Sequence, residues 1–156
     1  MGGSRRVIAF PDTSFLCAIY RRQDNSPPAA ACFQALPEAL HVSGLLLYEF
    51  RQSLRFQVWL HGRDKSKGQS QADCDRALAD LQSDLESGVV EVVTADWPDI
   101  HRLAETLSKR HTITNGHRSL DILHVATALH LGARDFLTFD ASQRKLATAE
   151  KLRVKP

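Results

Sequence analysis

The sequence predicts an α/β fold of three layers, α/β/α, with a central parallel sheet and a helical-hairpin lobe. Short apolar runs of strand type alternate with longer stretches of helical spacing. No internal repeat, low-complexity tract or interdomain linker interrupts this alternation. Alternating strands and helices favour a parallel sheet with helices on both faces. We therefore expect one domain over residues 1–156, with the helical hairpin at about residues 45–86.

The first predicted elements are a strand, a tight turn and a helix. Residues 7–10 are an apolar run that ends at Pro11, which cannot donate a ladder hydrogen bond. Asp12 then offers N-cap chemistry for a helix that continues to Ile19. A second unit of the same kind follows, with a helical stretch at 29–35 and an extended piece at 41–43.

The middle of the chain predicts a helical hairpin followed by a strand. Residues 45–60 contain no Gly or Pro, and residues 72–86 again show apolar residues at helical spacing. Gly88 is typical of the residue that follows a helix C-terminus. Residues 89–93 are rich in valine, and we expect them to form the next buried strand.

The C-terminal third predicts a central buried helix. Residues 96–109 have helical spacing, and residues 110–118 are polar enough to predict a loop. Ser119 is the predicted cap of the next helix, over 120–131, which has almost no polar face. The remaining elements are short: a strand at 136–139, a helix from Asp140 through Leu146 and a strand at 152–154.

Composition excludes several classes of protein. The 43% hydrophobic and 24% charged residues are ordinary globular values, so they argue against disorder and fibrous repeats. The net charge of +2 argues against a purely electrostatic nucleic-acid binder, so any such contact must come from a local patch.

Cysteine usage and the N-terminus predict a cytoplasmic protein without membrane association. Cys17, Cys32 and Cys74 are far apart and form no zinc-type cluster, which indicates a reducing compartment. The apolar run at 7–10 is too short for a signal peptide or a membrane span. Residues 2–6 also lack the pattern for myristoylation.

Four carboxylates stand where the predicted fold would gather them. Asp12 and Asp140 each follow a predicted strand, and parallel strands end at one edge of the sheet. Asp121 lies in the first turn of the buried helix, and Glu49 lies early in the helix that follows the strand at 41–43. We expect these four side chains to converge.

Each aspartate alone is explained as well by a helix cap or by the helix dipole. Glu49 is different, because no Lys or Arg stands at the helical neighbour positions 45, 52, 53 and 56. A carboxylate on such a face needs a partner. A divalent cation shared by several acids would supply one.

Four short motifs occur in the order found in a known family. They are VIAFPDTSFL, VSGLLLYEFRQSL, SLDILHVATAL and FLTFDASQRKLA. In this ordered set the chain resembles the PIN-domain nucleases, and most closely the small bacterial VapC toxins of toxin–antitoxin pairs. The resemblance covers nearly the whole chain. It implies a three-layer α/β fold, an RNA substrate and frequent homodimerisation.

Carried over by position, the resemblance implies a catalytic and metal-binding pocket with supporting hydroxyl groups. The acids that would bind Mg²⁺ or Mn²⁺ are Asp12, Glu49, Asp121 and Asp140. The hydroxyls that would orient carboxylates or water are those of Thr13, Ser14 and Thr138. Carboxylate-held divalent ions suit phosphodiester hydrolysis, and hard oxygen ligands favour Mg²⁺ or Mn²⁺ over zinc.

Basic and aromatic residues offer contacts for a polyanion, although each also has a plainer explanation. Arg51, Arg55, Arg118 and Arg144 are the candidates for RNA contact, and each is equally well read as solvated surface charge. His124, three residues after Asp121, is read as a hydrogen-bonded core residue rather than a ligand. Phe56 and Trp59 have helical spacing that usually means core.

The leading hypothesis is a metal-dependent endoribonuclease that is the toxin of a type II toxin–antitoxin pair, with a small antitoxin protein as partner. One alternative is a PIN-domain RNA-processing nuclease without an antitoxin. Another is a catalytically silent PIN-like module that binds protein or RNA. A phosphatase of the haloacid dehalogenase type would need a second aspartate two residues after Asp12, where the chain has Ser14.

Overall fold

The computed structural model describes residues 6–156. Residues 1–5 lie outside this range, and most of the sequence test for a myristoylation signal falls on them. The single domain expected over residues 1–156 stays a prediction. The strands are β1 (Ala9–Pro11), β2 (Leu40–Val42), β3 (Val90–Val92), β4 (Asp135–Leu137) and β5 (Arg153–Lys155). The helices are α1 (Thr13–Tyr20), α2 (Ser26–Gln34), α3 (Gly44–Arg63), α4 (Gln71–Ser87), α5 (Trp97–Asn115), α6 (Ser119–His130) and α7 (Ala141–Ala149).

The strands form the predicted parallel sheet. β4 pairs in parallel with β1 and with β5, and β2 pairs in parallel with β3. The register places Phe10 opposite Phe136, and contacts between β1 and β2 bring the two hydrogen-bonded groups together. β1 and β4 therefore deliver the residues that follow them, Asp12 and Asp140, to one edge.

Helices form the outer layers around this sheet. α1 contacts β1 and packs with α2, α3 and α4, whereas α6 contacts β1 and packs with α5 and α7. α6 is buried over most of its length, as the lack of a polar face predicted. α3 and α4 pack together as the expected hairpin. No helix in residues 6–156 is long and apolar enough to cross a membrane.

The loop predicted at 110–118 is wrong, because α5 continues to Asn115. No Gly or Pro stands between Pro98, in the first turn of α5, and Gly116, whose φ of 68° ends the helix in the left-handed conformation. The polar residues of this last stretch have tertiary partners. Arg110 and His111 both contact the half-buried Glu150, at 2.6 Å and 2.7 Å.

Two smaller expectations are also wrong. Ser119 does not cap α6, since Arg118 occupies the N-cap position and no side chain makes a capping hydrogen bond there. The strand β3 is buried only at Val90, whereas Glu91 and Val92 are exposed. β3 has one pairing partner among the described strands, β2, so its position at the edge explains its exposure.

Gly68 in the turn between α3 and α4 is expected to be intolerant of alanine. Its φ is +65°, and an added Cβ would meet the backbone carbonyl oxygen of Gln57. Gly68→Ala should therefore lower the free energy of unfolding by about 1–3 kcal/mol, measured by urea denaturation. Gly62→Ala is the control, because its Cβ would meet nothing within 4 Å and a helical alanine stabilises by about 0.5–1 kcal/mol. Equal effects of the two changes would contradict this prediction.

Candidate active site

The four predicted acids line one cavity at the edge of the sheet where β1 and β4 end. Its volume is about 430 Å³. Helix starts contribute most of the wall, since Asp12, Asp121 and Asp140 lie at or near the N-termini of α1, α6 and α7. The lining residues are Asp12, Thr13, Ser14, Glu49, Ser53, Arg118, Ser119, Leu120, Asp121, Asp140 and Gln143.

Asp12 is the most deeply buried of the acids. It caps α1 by accepting a 3.0 Å hydrogen bond from the Phe15 amide, and it also accepts bonds from the hydroxyls of Ser14 and Thr138. Burial nevertheless outweighs these bonds and raises the pKa of Asp12 to about 6. The carboxylate is therefore held in place but is costly to ionise in the absence of a cation.

The hydroxyl groups of Ser14 and Thr138 connect the first acid to the last. Ser14 Oγ donates to Asp12 and accepts from the Phe139 amide at 2.9 Å. Thr138 Oγ1 donates to Asp12 and accepts from the Asp140 amide at 2.9 Å. The two hydroxyls thus join the end of β4 to the start of α1, and they fix the spacing of Asp12 and Asp140.

Glu49 has two side-chain partners, neither of which is Lys or Arg. The hydroxyl of Thr13 donates to Glu49 Oε1, and the Nε2 atom of the fully buried His124 lies 3.2 Å from the same oxygen. Burial alone would raise the pKa of Glu49, but the hydrogen bonds from His124 and Thr13 lower it below its ordinary value. Glu49 is therefore ionised and held at the cavity wall.

Asp121 contacts one exposed cation and one buried amide. Arg118 Nε lies 3.5 Å from Asp121 Oδ2, and Gln143 Nε2 donates to Oδ1 at 3.3 Å. Burial raises the pKa of Asp121; Arg118 opposes this rise, and the nearby charges of Asp140 and Glu49 add to it. The acids are therefore close enough to repel one another across the cavity, in agreement with the expectation that they converge.

The sequence analysis does not assign to the site two polar residues that bond to its acids, His124 and Gln143. His124 was interpreted as a core residue, and it is buried, but it also bonds to Glu49. Gln143 was not singled out, although its amide bonds to the N-cap Asp140 at 2.8 Å while its side chain reaches Asp121. An Asp with Gln three residues later is close to the capping-box pattern, so this spacing was an available signal.

The predicted RNA-contacting arginines occupy three different environments. Arg118 lines the cavity, and its side chain is 82% exposed. Arg144 donates to the backbone carbonyls of Thr138 and Pro156 at 3.3 Å and 3.1 Å. Arg51 and Arg55 lie on α3, and neither lines the cavity.

The donor set suits a hard divalent cation. All four acids offer carboxylate oxygens, and their mutual repulsion would be relieved by positive charge. The buried Oε1 atom of Gln143 has no hydrogen-bond partner among residues 6–156, although Gln143 lines the cavity. Within the same range no three His, Cys, Asp or Glu side chains already form a metal-binding cluster. By the chemistry of their donors, the four carboxylates fit such an ion.

A parallel α/β sheet with carboxylates gathered beyond its strand ends is an arrangement suited to metal-assisted hydrolysis. The family model of the PIN domain matches residues 9–149, so the chain belongs to the PIN domain family. Membership in this family argues against the phosphatase alternative, for which the chain already lacked the second aspartate. No curated protein sequence matches the chain.

Solved structures of three bacterial proteins share the fold. VapC20 of Mycobacterium tuberculosis, a toxin described as cleaving the sarcin-ricin loop, is 23% identical with a TM-score of 0.63, covering 95% of this chain and 99% of its own. FitAcB of Neisseria gonorrhoeae is 16% identical with a TM-score of 0.60, and VapBC-1 of nontypeable Haemophilus influenzae is 18% identical with a TM-score of 0.59. The alignments with FitAcB and VapBC-1 each cover 96% of this chain and 97% of the other.

Proposed function

We propose that the protein is a metal-dependent endoribonuclease and the toxin of a type II toxin–antitoxin pair. The convergence of Asp12, Glu49, Asp121 and Asp140 on one cavity supports this function most strongly. Family membership and the fold shared with VapC20, a toxin described as cleaving the sarcin-ricin loop, add support. Mg²⁺ or Mn²⁺ is the proposed cofactor, because the donors are hard oxygens.

In this proposal the four acids hold the ion, and the remaining polar groups position the acids. A bound divalent cation would relieve charge at the attacked phosphate and lower the pKa of a water molecule. Thr13 and His124 fix Glu49, while Ser14 and Thr138 fix Asp12. The exposed guanidinium of Arg118 stands at the cavity rim, where it would bind the phosphate backbone of the substrate.

The proposed partners are an RNA substrate, a small antitoxin protein and a second copy of the chain, and the proposed location is the cytoplasm. Two of the similar solved structures, VapBC-1 and FitAcB, have names that combine two components. Such names support the proposal that this chain also has a protein partner, an antitoxin. Co-purification of the chain with the product of an adjacent small gene tests this partner. A chain that cleaves RNA and has no such gene would be the RNA-processing alternative.

Cleavage assays with metal and chelator test the reaction itself. We expect a pool of structured RNAs to be cut by the purified protein with Mg²⁺ or Mn²⁺ and to stay intact with EDTA. Cleavage that continues in EDTA would contradict metal dependence. Absence of cleavage together with absence of metal binding would favour the silent binding module.

Mn²⁺ is expected to raise the melting temperature of the protein. A ligand that binds only the folded state stabilises it, by about 2.7 kcal/mol at a hundredfold excess over Kd. The shift should disappear in Glu49→Gln, which removes one ligand charge and keeps the side-chain volume. Glu86→Gln, on the exposed end of α4, is the control and should retain the shift. An unchanged melting temperature in the wild type would contradict metal binding at the cavity.

A further inference from the structure

One face of α3 carries large aromatic side chains that the fold does not bury. Tyr48, Phe56 and Trp59 are 61%, 49% and 51% exposed. The expectation that Phe56 and Trp59 belong to the core is therefore wrong. The apolar side of α3 that packs inward consists of other residues, namely Leu46, Leu47, Phe50 and Leu54.

This face begins at the acidic cavity. Glu49, Phe56 and Arg63 are seven residues apart in turn, so they lie along one side of the helix. Phe56 and Trp59 stack with ring centroids 5.4 Å apart, and the Arg63 guanidinium lies 4.3 Å from the Trp59 ring centroid. A stacked aromatic and cationic row thus extends for about two to four turns of helix from Glu49.

Positive charge is concentrated on the same part of the chain. Residues 50–67 contain five Lys or Arg and one acid, a net charge of +4, whereas the whole chain has a net charge of +2. Arg51 and Arg55 form no ion pair with any residue in the described range 6–156. This positive charge is therefore concentrated locally, on α3 and the turn that follows it.

We propose that the α3 aromatic face, Tyr48, Phe56, Trp59 and Arg63, docks single-stranded RNA and guides it to the acidic cavity. The inference rests on the proposed nuclease function and adds how the substrate is held. Aromatic rings stack on bases of any sequence, and arginine pairs with phosphates and stacks on rings. An acidic cavity repels the RNA backbone, so a neighbouring patch of opposite charge is needed to hold the strand.

A second copy of the chain fits this face less well. In a two-fold dimer the same patch meets itself, so the arginines of one copy would face those of the other. Between Phe50 and Arg63 α3 has no acidic residue that could pair with them. A polyanion is the occupant whose charge complements the face, and the proposed homodimer would use another surface.

Binding of a short fluorescein-labelled oligouridine in EDTA tests the docking face without cleavage. The measurement is fluorescence anisotropy in the Asp121→Asn background. We expect the double change Phe56→Ala and Trp59→Ala to weaken binding at least tenfold. Ile113→Ala removes an exposed side chain, 94% accessible, from α5 and should leave the affinity unchanged.

The charge contribution is tested by salt dependence. Each phosphate contact that Arg55→Gln or Arg63→Gln removes should lower the slope of log affinity against log salt by about 0.7. Arg102→Gln makes the same charge change on α5 and should leave the slope unchanged. Circular dichroism of each variant checks that the exposed substitutions leave the fold intact.

The outcomes separate this inference from the proposed function. Unchanged RNA affinity in the Phe56→Ala and Trp59→Ala variant would overturn the proposed docking of RNA on this face. If the same variant also loses a dimer in sedimentation, the face belongs to the contact with a second copy of the chain. If the wild type shows metal-dependent cleavage in either case, the nuclease proposal is retained and only the docking proposal is rejected. Tenfold weaker binding by the aromatic variant, with neither cleavage nor metal binding by the wild type, would support the docking face and contradict the nuclease.

Discussion

Replacing Asp121 with asparagine is expected to lower metal-dependent RNA cleavage by about 10²–10³-fold, the scale seen when one transition-state electrostatic contact is removed. Asparagine keeps the shape of the side chain and still accepts from Gln143, but it removes one negative charge from the proposed metal site. The measurement is kcat on a defined RNA at saturating Mg²⁺ for the wild type and Asp121→Asn.

The same substitution should not weaken the fold in the absence of metal. The pKa of Asp121 is raised by burial and by Asp140 and Glu49, so its charged form is unfavourable in the folded state. Asp75→Asn, on the exposed side of α4, is the matched control and should cleave as the wild type does. Equal cleavage by Asp121→Asn and the wild type would show that the activity comes from another site or a contaminant.

Ionisation of Asp12 is expected to destabilise the metal-free protein as pH rises from about 4 to about 7. The pKa of Asp12 is about 6 in the folded state and 3.8 in its ordinary state, so the folded state binds more protons between these values. The contribution of Asp12 to the free energy of unfolding therefore falls by about 3 kcal/mol as pH rises through this window. Urea unfolding in EDTA at a series of pH values measures it.

Asp12→Asn isolates this contribution, because asparagine cannot ionise. Between pH 4 and 7 the unfolding free energy of the wild type in EDTA should fall by about 3 kcal/mol relative to that of Asp12→Asn. Mg²⁺ should restore stability to the wild type at pH 7, since it favours the ionised carboxylate, and should not do so for Asp12→Asn. Parallel pH profiles of the two proteins would contradict the raised pKa.

The candidate site was predicted largely from local signals. Asp12 and Asp140 each follow a strand and begin a helix, and both the strand and the N-cap have short-range sequence patterns. Parallel pairing of β1 with β4 then brings the two acids to one edge, which the alternation of elements predicted. Glu49 is predicted to belong to the site because no Lys or Arg stands at its neighbouring positions on the same helix face.

Element ends and side-chain exposure were less predictable. α5 extends to Asn115 because Gly116 is the first residue that readily ends it and because Glu150, far along the chain, pairs with its last polar turn. Phe56 and Trp59 have the spacing of core residues, but they stand on the side of α3 away from its packing partners. Spacing defines a helix face but does not say which face is covered.

The sequence by itself determined the α/β class, the order of the elements and the four acids, since these depend on periodicity, caps and motifs within a few residues. Only the tertiary structure decided how the acids are held. The bond between His124 and Glu49 joins residues 75 positions apart, and Gln143 reaches Asp121 across 22. Such partners are chosen by the packing of α3, α6 and α7, which no local pattern encodes.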